Sequence, residues 1–104
     1  MFALEKLAEI IARRAEADAG VSYTRTLLDN GVAKCAKKFG EEATEAVIAA
    51  VAEDDRALCG EAADVLYHLL VLLRARNLPL ADVMAELERR TARGGHEEKA
   101  ARPK

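Results

Sequence analysis

With 104 residues, 51% of them apolar and 33% charged, the sequence has room for one compact domain and none for a second. Sixteen basic against 18 acidic side chains leave a formal charge of −2, which excludes the broad basic surface of a general nucleic-acid binder. Aromatic residues make up 4%, tryptophan is absent, and alanine, leucine, glutamate and arginine abound, so an all-α domain is predicted.

Leu4, Leu7, Ile10 and Ile11 recur at helical spacing with Glu5, Lys6, Glu9, Arg13 and Arg14 opposite, which predicts an amphipathic helix from about Phe2 to Asp18. The acids in this stretch interrupt any signal-peptide-like apolar run, so a cytoplasmic location is expected. Gly20 ends the helix, Ser22 can cap a short second one through Asp29, and Asn30 with Gly31 supplies a break. A long third helix is predicted from Val32 to about Glu53. Its interior Gly40 costs about 1 kcal/mol relative to alanine and so asks for a reason.

An aspartate of the tract EDDR (53–56) caps a fourth helix from about Arg56 to Arg76, whose second half, VLYHLLVLL, is apolar nearly all round. That half marks the buried centre of a bundle or a dimer, and it falls far short of the roughly 20 residues that span a bilayer. Asn77 and Pro79 close it, and LADVMAELERRT forms a last helix of about three turns. Residues 1–92 therefore read as a single domain of four to five helices, and 93–104 as a polar tail. Cys35 and Cys59 form neither a disulfide framework nor a CxxC pair, and both are expected as small buried apolar residues.

The chemistry lies in where the acids fall. Glu42 shares a stripe with Cys35, Phe39, Ala46 and Ala49, and Glu45 follows one turn on; in the next helix Glu61 shares a stripe with Leu58, Val65, Leu69 and Leu72, with Asp64 three residues later. Packed antiparallel, the two helices gather four carboxylates in one semi-buried place, which is costly without compensation. A hard divalent cation supplies it, and an oxygen-only donor set points to magnesium, with manganese as a substitute, rather than zinc. The competing reading is a solvated helix face, the natural place for Glu41, Glu53, Asp54 and Asp55.

Lys34, Lys37 and Lys38, with Arg25 upstream, add the cations a polyphosphate needs beside such a centre, although a lysine run alone is also what a solvated face looks like. His68 is expected as a hydrogen-bonded core histidine. It is not a di-iron ligand, because the glutamate required three residues earlier is Val65.

The segments SYTRTLLDNGVAKCAKKFGEEATEAVIAA and GEAADVLYHLLVLL, with GHEEKAAR in the tail, resemble the phosphoribosyl-ATP pyrophosphatases of histidine biosynthesis, within the all-α MazG-like nucleotide pyrophosphohydrolases. SYT, KKFGEE and YHLL carry the specific part of this resemblance; an EExxE and a later ExxD alone would indicate only the wider group. The resemblance implies a MazG-like helical bundle assembled as a homodimer, magnesium held by Glu42, Glu45, Glu61 and Asp64, and hydrolysis of phosphoribosyl-ATP to phosphoribosyl-AMP and pyrophosphate. On that reading Glu41 and Glu42 are the catalytic carboxylates, with Glu41 free to orient or deprotonate water. Lys34, Lys37 and Lys38 hold phosphate oxygens; Ser22, Tyr23 and Thr24 line the nucleotide end, and Arg25 has a lesser role there. Neither nucleic acid nor membrane is an expected partner. The alternatives are a MazG-like housecleaning hydrolase of nucleoside triphosphates, and a non-enzymatic dimerisation module.

Overall fold

The computed structural model describes residues 1–92 and contains five helices: α1 (Leu4–Ala15), α2 (Tyr23–Asp29), α3 (Val32–Ala52), α4 (Asp55–Ala75) and α5 (Leu80–Thr91). Among the described residues there is no strand, and no helix is long and apolar enough to cross a membrane. The tail at 93–104, with its GHEEKAAR motif, lies outside the described residues.

Local signals explain each boundary. α1 stops three residues earlier than its apolar period suggests, because the N–H groups of Glu16 and Ala17 bond back to Arg13 and Arg14 and the chain then turns at Asp18, whose carboxylate accepts the Gly20 N–H at 2.9 Å. Ser22 caps α2 by accepting from the Arg25 N–H at 3.1 Å, and its own hydroxyl donates to the Arg14 carbonyl at 2.9 Å. One side chain thus closes α2 and fastens it to the end of α1. Gly31, at φ 90°, makes the left-handed turn into α3 that a side chain would strain.

Asp54 caps α4 through the Ala57 N–H at 2.8 Å. α4 ends in a Schellman motif: Asn77 is left-handed at φ 57°, its N–H donates to Arg74, and the Leu78 N–H reaches back to Leu73 at 2.9 Å.

The two-residue link between α3 and α4 forces them antiparallel, and theirs is the largest helix contact among the described residues. α1 and α2 pack across one end of this hairpin, where Ile11, Leu27, Cys35, Leu70 and Val71 form the buried core with Leu4, Leu7, Leu28, Leu73 and Leu80 around it. α5 buries no residue and reaches the core through Leu80, leaving an apolar groove of about 560 Å³ between α1 and α5.

The VLYHLLVLL segment contributes to the buried centre of the bundle, as expected: Leu70 and Val71 are enclosed by the chain itself, and of its aliphatic residues only Leu66 is exposed. One patch of exposed apolar side chains lies on the second half of α3, at Val47, Ile48 and Val51. Cys59, expected in the core, is exposed on α4, whereas Cys35 is buried with its thiol donating to the Leu27 carbonyl at 3.2 Å. A Cβ on Gly40 would meet nothing within 4 Å, so packing inside the chain gives no reason for that glycine.

Ser22→Ala removes both the cap and the bond to α1, and urea unfolding should show a loss of about 1–2 kcal/mol. A loss no larger than that of an ordinary exposed serine would mean the hydroxyl does not join the two helices.

Candidate metal centre and active site

Glu42 sits on the stripe of α3 that also carries Cys35 and Ala49 toward the hairpin interior, so its carboxylate is buried with them. Glu45, one turn further along, is exposed, and Glu61 enters from α4 half-buried. One carboxylate oxygen from each lies within 4.8 Å of the other two. Glu61 Oε2 is enclosed and has no hydrogen-bond partner. An orphaned buried carboxylate oxygen inside a cluster of three is an unstable arrangement unless a cation completes it.

Within the chain, Lys38 supplies part of that charge. Its ammonium stands 3.1 Å from Glu42 Oε1 and 3.8 Å from Glu41 Oε2. The Lys38 bond holds the Glu42 carboxyl below its usual range against the opposing effect of burial, while the bond to Glu42 and the charges of Glu42 and Glu61 push Glu45 upward. The donor atoms are all carboxylate oxygens, and together with the unsatisfied Glu61 Oε2 they suit a hard divalent cation.

The remaining sequence-predicted residues fall into separate groups. Asp64 is exposed and stands outside the three-carboxylate cluster. Glu41 is exposed beside Lys38, and Lys34 and Lys37 are exposed without ion pairs among the described residues. Thr24 is buried and shares a 2.6 Å hydrogen bond with the Tyr67 hydroxyl. Arg25 is occupied by Asp29 at 2.9 Å and the Ala17 carbonyl at 3.1 Å, and Asp29 raises its pKa further. Tyr23, in contrast, is 57% exposed, its ring parallel to that of Tyr67 at 6.5 Å, and its phenol lies within electrostatic reach of Lys38.

His68 is buried as expected, but its imidazole makes no hydrogen bond among the described residues. It is held by edge-on contacts with Tyr67 at 5.0 Å and Tyr23 at 6.4 Å. Sequence reasoning missed this aromatic wall beside the acids, although Tyr67 and His68 follow Asp64 at the three- and four-residue spacing of one helix face.

Burial pushes the His68 pKa below its ordinary value; Glu42 and Asp64 pull it up and Lys38 pushes it down. Above about pH 6.5 the ring is neutral in both folded and unfolded chains and contributes nothing. As pH falls through that value the unfolded chain takes the proton first, so stability declines until the lower folded-state pKa is passed. Urea titrations at about pH 7.5 and 5.5 should show the wild type losing more stability on acidification than His68→Phe. Equal losses would mean that burial does not set this ring's protonation.

The family model described as phosphoribosyl-ATP pyrophosphohydrolase matches residues 4–91. The chain is 59% identical over 99 residues to a phosphoribosyl-ATP pyrophosphatase of Azorhizobium caulinodans, covering 95% of this chain and 91% of the relative. It is 57% identical over 102 residues to that of Cereibacter sphaeroides, covering 98% and 99%, and 56% identical over 102 residues to that of Agrobacterium fabrum, covering 98% and 95%. With five helices, a carboxylate cluster between the two longest, and matches along nearly its whole length, the chain belongs to the phosphoribosyl-ATP pyrophosphohydrolase family.

Proposed function

We propose that this chain hydrolyses 1-(5-phosphoribosyl)-ATP to 1-(5-phosphoribosyl)-AMP and pyrophosphate, the second step of L-histidine biosynthesis. The observation that carries this reading is the buried Glu42 with Glu45 and Glu61 around it, in a chain whose relatives, matched over at least nine-tenths of their own length, bear the name of that pyrophosphatase. The housecleaning alternative shares the acidic centre, and the names of these relatives favour the specific substrate. The dimerisation-module alternative leaves an enclosed, unpartnered Glu61 oxygen without a role.

Glu42, Glu45 and Glu61 would hold magnesium, or manganese in its place, with Asp64 joining from the next turn of α4. Bound there, the ion would neutralise charge on the triphosphate as water displaces pyrophosphate in line. Glu42, fixed by burial, orients the cluster. Glu41, exposed at its edge, positions the attacking water and takes its proton. Lys34, Lys37 and Lys38 line one side of α3 and meet the phosphate oxygens. Tyr23 presents its exposed ring to the nucleotide, while Ser22, Thr24 and Arg25 fix α2, and so Tyr23, through their internal bonds.

A second copy of the chain is the natural cover for Val47, Ile48 and Val51, which makes the active form a homodimer built on the α3–α4 hairpin. The enzyme would work in the cytoplasm on this nucleotide, with neither nucleic acid nor membrane as a partner.

Product analysis with phosphoribosyl-ATP and magnesium should give pyrophosphate and the monophosphate. Equal or faster turnover of ordinary nucleoside triphosphates would favour the housecleaning reading, and orthophosphate as the product would overturn both. Glu45→Gln and Asp64→Asn should each lower turnover by at least about 100-fold with the fold intact, since each deletes a ligand while easing repulsion in the metal-free protein. Substantial activity in either variant at saturating magnesium would remove that residue from the site.

Assembly has its own test. Sedimentation should show a dimer of the wild type over a wide concentration range and a shift to monomer in Val51→Glu. A fully active wild-type monomer would overturn the dimer.

A further inference from the structure

Among its described ion pairs the protein has one that differs from the rest. Lys6 with Glu9, Arg25 with Asp29, Arg74 with Glu16, and Glu86 with Arg89 and Arg90 all join side chains that are well exposed. Lys38 instead meets a carboxylate, Glu42, whose side chain is only 9% exposed, and it does so from the rim of the acidic cluster at 3.1 Å. The ammonium is drawn inward by Glu42 and held at the edge by Glu41 at 3.8 Å.

A divalent ion held by Glu42, Glu45 and Glu61 would compete for the Glu42 carboxylate that Lys38 already engages. Two cations on one buried carboxylate within a few ångströms repel strongly where water is scarce. A lysine can resolve the conflict by moving, because its charge is compact, its donors rotate and its four-carbon stem is flexible. Its side chain is 35% exposed, which leaves it a path outward. Tyr23, Lys34 and Lys37 are themselves exposed.

We propose that Lys38 is a displaceable counterion: it occupies the cation position beside Glu42 in the metal-free protein, yields it when a divalent ion binds, and turns outward to pair with a phosphate oxygen of the substrate. This rests on reading the three carboxylates as a divalent-metal site, and it goes beyond that reading by making one residue serve the site in two places. Its consequence is an order of events. Ion binding releases the lysine, and only the released lysine is available to the nucleotide. Lys38 is thus a positioning residue for the empty centre and a substrate contact for the filled one.

The test is calorimetric titration of manganese into the substrate-free wild type and into Lys38→Met, which keeps the length of the side chain and removes its charge. The variant should bind the ion about three- to tenfold more tightly, because nothing competes for Glu42, and its metal-free form should melt at a lower temperature. In the wild type, the side-chain ammonium resonance of Lys38 should move as magnesium is added and stop moving at the concentration where the site saturates. That measurement does not depend on the variant folding. An unchanged or weaker affinity in Lys38→Met, or a resonance that stays in place while the ion binds, would overturn the counterion role alone. Absence of saturable binding in both proteins would overturn the metal site and this proposal together.

Discussion

Three carboxylates held within 4.8 Å of one another between two antiparallel helices are the constraint around which the molecule is arranged. Repulsion of this kind would separate the helices or expel the acids to solvent if nothing opposed it. Among the described residues Glu42 stays buried, Glu61 keeps an enclosed oxygen without a partner, and the α3–α4 contact is nevertheless the largest. Relief within the chain comes from Lys38, and from the raised pKa of Glu45, which lets it take a proton more readily than an isolated glutamate. Neither satisfies Glu61 Oε2. The centre is therefore stable enough to fold and remains short of positive charge.

The rest of the fold supports that compromise from one end. The buried apolar core is small and lies where α1 and α2 cross the hairpin, away from Val47, Ile48 and Val51. Polar bonds reinforce it at points where a larger protein would use more hydrocarbon: Ser22 to the Arg14 carbonyl, Thr24 to Tyr67, and the Cys35 thiol to the Leu27 carbonyl. These bonds also fix α2, and α2 carries Tyr23 to the edge of the acidic cluster. Residues that look like spare polar groups in the sequence thus act on the site at one remove, by setting the place of a neighbour.

Much of this was legible in the sequence because helices announce themselves locally. The apolar period, the caps at Ser22 and Asp54, the glycine at Gly31 and the stop at Asn77 and Pro79 each act within a few residues, and the observed helices begin and end within three residues of their expected bounds. The inward stripe of Glu42 was legible for the same reason. What could not be read was how two stripes meet. Residues three apart on a helix differ by about 60° in direction, so Glu61 can stand within 4.8 Å of Glu42 and Glu45 while Asp64 is exposed at the edge of that group, and only the packing of α4 on α3 sets the difference. Cys59 and the ring contacts of His68 were hidden likewise, since each depends on which short helix covers which length of a long one.

α1 and α2 are too short to cover both ends of a hairpin whose two helices are each 21 residues long, so they enclose the half containing Cys35, Leu70 and Val71 and leave the other half open. Glu42, Glu45 and Glu61 fall near the boundary between the covered and uncovered halves, which is why their exposures range from buried through half-buried to open. A site placed wholly inside the core could not admit a charged nucleotide, and one placed wholly on the open half would leave its carboxylates too well solvated to attract a cation strongly. The boundary meets both demands: Glu42 is buried, whereas Glu45 and Glu41 are exposed to solvent.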